Sequence, residues 1–140
     1  VSIAIYHNPK CETSRNVLAM LRQSGEPLHV IEYLQTGWTK EQLLGLFAAA
    51  GLTPREALRV SKSPAEELGL TQDHVSDDEL LEAMVAHPIL VNRPIVCTSK
   101  GVRLCRPSER VFDILPNPDI GPFAKEDGTI VIDAAGQRIG

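Results

Sequence analysis

At 140 residues, with 43% hydrophobic and 23% charged side chains, the chain has the material for a packed core and reads as one domain over 1–140. A net charge of −4 argues against a broad nucleic-acid footprint, and the longest apolar run, LLGLFAAAGL, falls well short of the about 20 residues a bilayer span requires. No basic region precedes an apolar core at the N-terminus, and three cysteines suit a reducing compartment better than a disulfide scaffold, so a cytoplasmic location with neither membrane nor nucleic-acid partner is expected.

SIAIY, rich in β-branched residues, reads as a buried strand. The helix that follows carries Val17, Leu18 and Leu21 at helical spacing, and Gly25 supplies a stop. LHVIEYL then reads as a second strand, so the first 33 or so residues suit a right-handed βαβ unit. Four capping-box pairs come next: Thr39 with Gln42, Thr53 with Glu56, Ser63 with Glu66, and Ser76 with Glu79. Pro54 and Pro64 stand at first helical positions, so residues 39–87 read as a run of helices inserted into the domain. PIVCTS, the turn KG and VRLC form a hairpin, a helix is expected from Ser108 to Leu115, and the tail has a weak helical signal at VIDAAGQRI. The fold class expected is α/β.

The chemistry gathers at YHNPKCETSRN. Cys11 stands where a strand hands over to a helix, and a helix N-terminus carries unpaired N–H groups and partial positive charge that stabilise a thiolate. His7 and Arg15 flank it, His7 as a charge or hydrogen-bond donor to the sulfur, and Ser14 can donate its hydroxyl; Asn8 and Pro9 supply a turn that fixes the loop. A lone cysteine near a strand end is more often a small buried hydrophobe, but a core position has no need of HNPK before it. Spacing excludes two enzymes. A C-x-x-C dithiol fails at Ser14, and a C-x5-R phosphatase loop fails at Val17. If Cys11 attacks an oxyanion, the charge must be held by groups from elsewhere. Arg59 in PREALR, Arg93 before Pro94 and Arg106 before Pro107 are the candidates, the last two at the ends of adjacent expected strands. Each in isolation reads as a surface charge.

YHNPKCETSRN, ALR, HPILVNRPIV and RLCRPSE, in that order and spacing and followed by FAKEDG, resemble the glutaredoxin-dependent arsenate reductases, and the likeness covers nearly the whole chain. The resemblance implies a thioredoxin-like fold, a mixed sheet flanked by helices, with a helical insertion. It implies that Cys11 is the nucleophile, that Arg59, Arg93 and Arg106 bind the oxyanion, and that His7 and Ser14 support the thiolate. It matches Pro94 to the proline whose preceding peptide bond is typically cis in thioredoxin folds. Glu12 departs from members that have glycine after the nucleophile, while Cys97 and Cys105 read as packing residues in strands. The implied reaction reduces arsenate to arsenite, with glutathione as co-substrate, glutaredoxin as partner, and no bound metal or organic cofactor. Two rivals stand beside it: a deglutathionylating thiol-transfer protein, and a thioredoxin-like regulator that binds RNA polymerase.

Overall fold

The computed structural model describes residues 2–139, which divide into two compact units: one runs to Ile31 and resumes at Arg93, the other is Glu32–Asn92. Among the described residues no helix is long and apolar enough to cross a membrane.

The first unit is built on a four-stranded mixed sheet in the order β2-β1-β3-β4, with β1 Ile3–His7, β2 Leu28–Glu32, β3 Ile95–Thr98 and β4 Gly101–Leu104. β1 runs antiparallel to β3 with Ile5 opposite Val96 and Tyr6 opposite Ile95, and β3 runs antiparallel to β4 with Ile95 opposite Leu104. That register brings the end of β1, the start of β3 and the end of β4 to one edge of the sheet. Helix α1, Glu12–Gln23, turns its buried residues Val17, Leu18, Met20 and Leu21 onto Ile3, Ile5 and Val96. Each such side chain contributes about 1.5–3 kcal/mol on leaving water, which is what seats the helix. Gly25, at φ +76, closes the helix as expected, because a left-handed residue is cheap only for glycine. A 3₁₀ segment, Ser108–Asp113, stands where a helix to Leu115 was expected, and adds Val111 and Phe112 to the same core.

The tail contradicts its helical signal. It forms a two-stranded sheet, β5 Phe123–Ala124 with β6 Ile130–Ile132, and Ile132 also bridges to Arg138. Turn chemistry wins here: the Asp133 carboxylate accepts from the N–H groups of Ala135 and Gln137, and Gly136 lies at φ +82.

In the second unit, the expected strand LHVIEYL stops at Glu32, and Tyr33–Thr36 forms a short helix, α2, with Tyr33 buried and stacked on Trp38. Helices α3, Lys40–Ala50, and α4, Asp77–Ala86, have the capping boxes their sequences announce, Thr39 with Gln42 and Ser76 with Glu79. Lys40 bridges Asp78 and Glu82, tying the start of α3 to α4. Between them, residues 53–74 are turns rather than helices. Thr53 and Glu56 do exchange their capping bonds, but the backbone then leaves the helical path. Leu58 bridges to Val91, the Arg59 N–H donates to the Leu90 carbonyl, and the Asn92 N–H donates to Ala57, so these groups pair across the chain instead of along it. Ser63 likewise donates to the Arg59 carbonyl and accepts from Ala65, with no reciprocal bond to Glu66.

Candidate active site

β1 delivers His7 to the converging edge of the sheet, and the chain then turns through Asn8, Pro9 and Lys10. The turn is fixed locally, since Asn8 Oδ1 accepts from the Lys10 N–H at 3.0 Å and the Asn8 carbonyl accepts from the Cys11 N–H at 3.0 Å. Cys11 is the N-cap residue of α1, extended at φ −97 and ψ 121, and only 8% exposed.

Ser14 binds the loop to the helix. Fully buried, its Oγ accepts from the Asn8 N–H at 3.0 Å and lies 2.6 Å from His7 Nδ1, so the hydroxyl and the imidazole meet each other in the interior. The group of Ser14 that acts on the sulfur is its backbone N–H, at the third helical position, which faces Cys11 without closing to a capping bond.

The arginines come from the β3–β4 hairpin. Pairing of Ile95 with Leu104, and of the Cys105 N–H with the Pro94 carbonyl at 2.9 Å, sets Arg93 and Arg106 at its open end. Both Arg93–Pro94 and Arg106–Pro107 are cis, the first as the resemblance implied. Arg106 is exposed, yet its Nη1 reaches the Arg93 carbonyl at 3.2 Å and Cys11 Sγ at 3.7 Å. Arg93 is buried, with a guanidinium close enough for its charge to act on the sulfur. Burial alone would push the Cys11 thiol up. The Ser14 N–H, the Arg93 charge, and the hydrogen bond and charge of Arg106 outweigh it and hold the thiol below its ordinary range. The site can therefore present a thiolate beside cations, the requirement for attack on an electrophilic oxyanion.

Arg59 lies in the other unit. Its guanidinium is buried, and its Nε donates to the Ser61 carbonyl at 2.9 Å. Glu12 is exposed on the first turn of α1, within electrostatic reach of Arg15. Cys105 is fully buried and its thiol is pushed up to about 12, chiefly by that burial; Cys97 is raised by burial too. Both fit packing roles.

Sequence reasoning passed over the tail's contribution. Arg15 forks onto Glu126, and the Glu126 N–H donates to Asn16 Oδ1. Contacts spanning over 100 residues leave no local periodicity, and FAKEDG entered the reading only through the family resemblance.

The ArsC family model matches residues 6–114. The chain is 64% identical to the arsenate reductase ArsI2 of Synechocystis sp. over 98% of each chain. It is 52% identical to the arsenate reductase of Escherichia coli K12, over 99% of this chain and 98% of that one. Among solved structures, the arsenate reductase from Vibrio cholerae superposes with a TM-score of 0.77 at 43% identity, covering 81% of this chain and 98% of that chain.

Proposed function

The chain belongs to the ArsC family, and from that premise we propose how it reduces arsenate to arsenite, a reaction of arsenic detoxification. The observation that carries the mechanism is the Cys11 sulfur, at the N-cap position of α1, 3.7 Å from a guanidinium and acidified by its surroundings. Arsenate is held by Arg93 and Arg106, whose planar forks match two oxygens at a time, and the resemblance adds Arg59 as a third oxyanion ligand. The Cys11 thiolate attacks arsenic, an As–S bond forms, and a protonated oxygen leaves as water. His7 and Ser14 support the thiolate by fixing the loop and the first helical turn beneath it.

The second stage needs sulfur from outside, because Ser14 stands where a resolving cysteine would be. Glutathione supplies one thiol, displacing a second oxygen from arsenic, and glutaredoxin supplies the other. The glutaredoxin thiolate attacks the glutathione sulfur, a disulfide forms between them as the bond from that sulfur to arsenic breaks, and the electron pair of that bond stays on arsenic, reducing arsenic(V) to arsenic(III). Water then cleaves the remaining As–S bond, releasing arsenite and returning the Cys11 thiol.

Phosphate shares arsenate's shape and charge, so phosphate should compete for the same guanidiniums without being reduced. The decisive variant is Arg93→Ala, assayed in parallel for arsenate reduction and for exchange with a glutathione mixed disulfide. Arsenate turnover should fall by roughly 10²-fold or more, as for removal of one preorganised charge donor, with exchange far less affected. Equal losses in both would favour a deglutathionylating enzyme instead.

A further inference from the structure

The turn that joins β5 to β6 carries two adjacent opposite charges, and they engage different parts of the site. Lys125 Nζ lies 2.8 Å from Glu109 Oε1, an oxygen that also accepts from Ser108 Oγ at 2.7 Å. Ser108 and Glu109 open the 3₁₀ segment just beyond Arg106 and Pro107. Glu126 instead receives the Arg15 fork, Nε at 2.7 Å and Nη2 at 3.0 Å, while the third nitrogen, Nη1, donates to the Pro9 carbonyl at 2.9 Å. The Glu126 N–H adds a bond to the buried Asn16 on α1. The turn is itself closed by bonds from Gly128 to Lys125, from Lys125 to Thr129, and from the Thr129 N–H to the Asp127 carboxylate.

We infer that the Lys125–Glu126 turn is a positioning strap, which ties the Cys11 loop to the Arg106 loop and so keeps the guanidinium on the sulfur. Stability is not its main product. The Arg15 and Glu126 side chains are 41% and 40% exposed, and ion pairs so well solvated add little to folding free energy. What a forked pair does supply is direction, and it supplies it on the residue that also holds the Pro9 carbonyl. Glu126 and Lys125 are therefore positioning residues, acting through Arg15 and Glu109. The inference rests on the proposed roles of Cys11 and Arg106.

A simple field effect and a positioning effect have opposite signs at this place. Arg15 is held charged first by its bond to Glu126 and, among lesser contributions, by the charges on Glu12 and Cys11. Deleting the Glu126 carboxylate removes a negative charge and takes from Arg15 its ion-pair partner, leaving only the weaker field of Glu12; on charge alone, the Cys11 thiol should become more acidic. Loosening the strap lets Arg106 drift from the sulfur, and the thiol should become less acidic.

The test uses the full chain with Glu126→Ala, and Glu126→Gln as a second variant that keeps the side chain's shape. Iodoacetamide modification of Cys11 is followed against pH by peptide mass spectrometry, alongside arsenate kinetics with glutathione and glutaredoxin. The strap predicts a midpoint displaced to higher pH in both variants, and a kcat/KM for arsenate lowered roughly tenfold, inside the 10²-fold that a 1 Å misplacement can cost. A midpoint that stays or moves to lower pH overturns it. The two readings fail separately: a wild type that makes no arsenite while the midpoint still rises in the variants keeps the strap and sinks the reaction, whereas arsenate turnover with an unmoved midpoint does the reverse.

Discussion

Replacing Arg106 by alanine removes a cation that reaches the nucleophile, and the size of the effect follows from its position. Nη1 stands 3.7 Å from Cys11 Sγ. At about 4 Å, two unit charges attract by about 1 kcal/mol in bulk water and about 4 kcal/mol at the effective dielectric near a protein surface. Arg106 is exposed, so the solvated end of that range applies, and Arg93 and the Ser14 N–H still act on the sulfur in the variant. About 1 kcal/mol corresponds to roughly a fivefold smaller thiolate population at any pH below the thiol's midpoint. The sign is fixed by the charge: losing a cation disfavours the anion, so the ionisation midpoint rises. The assay is the rate of Cys11 alkylation from pH 5 upward. A more basic thiolate is intrinsically more nucleophilic, so the plateau at high pH should rise modestly even as the curve moves to the right. The displacement of the curve is therefore the diagnostic. A curve that stays in place, or moves to lower pH, would refute the claim that Arg106 holds the sulfur ionised.

The same reagent should separate Cys11 from Cys105, with Cys11 labelled near neutrality, while Cys105, pushed up to about 12 and fully buried, stays unmodified until the chain unfolds. Peptide mapping after brief labelling at pH 7 checks this, and early modification of Cys105 would contradict its packing role. Leu21→Ala opens a cavity among fully buried neighbours on α1, β1 and β3, and should cost about 2–5 kcal/mol in urea unfolding. A loss under about 1 kcal/mol would mean that α1 is not seated as described.

The parts of this molecule that sequence made legible are those with short-range signatures. Val17, Leu18 and Leu21 announced a helix face, Gly25 its end, and Thr39 and Ser76 the starts of α3 and α4, because capping and periodicity act within one or two turns. The misreadings have two causes, one distant and one local. Thr53 and Ser63 sit in local patterns that suit a helix start, but the backbone of Ala57, Leu58 and Arg59 finds partners in residues 90–92, which no local rule can see. VIDAAGQRI lost its helix to a single aspartate, whose carboxylate offers the backbone a tighter turn. At the site, Cys11 was marked by its polar loop and helix-start position. Arg93 and Arg106 meet it only through the register of three antiparallel strands, and their roles came from the family likeness. Ser14 was expected to work through its hydroxyl, whereas the hydroxyl engages His7 and Asn8 and the backbone N–H faces the sulfur.

The most direct test is to measure the arsenite formed from arsenate, glutathione and glutaredoxin by the wild-type chain and by Cys11→Ser. Turnover by the wild type, and none above the protein-free rate in the variant, is the result expected of a single nucleophilic sulfur. Arsenite produced at comparable rates by both would place the chemistry on some other group and remove Cys11 from the mechanism.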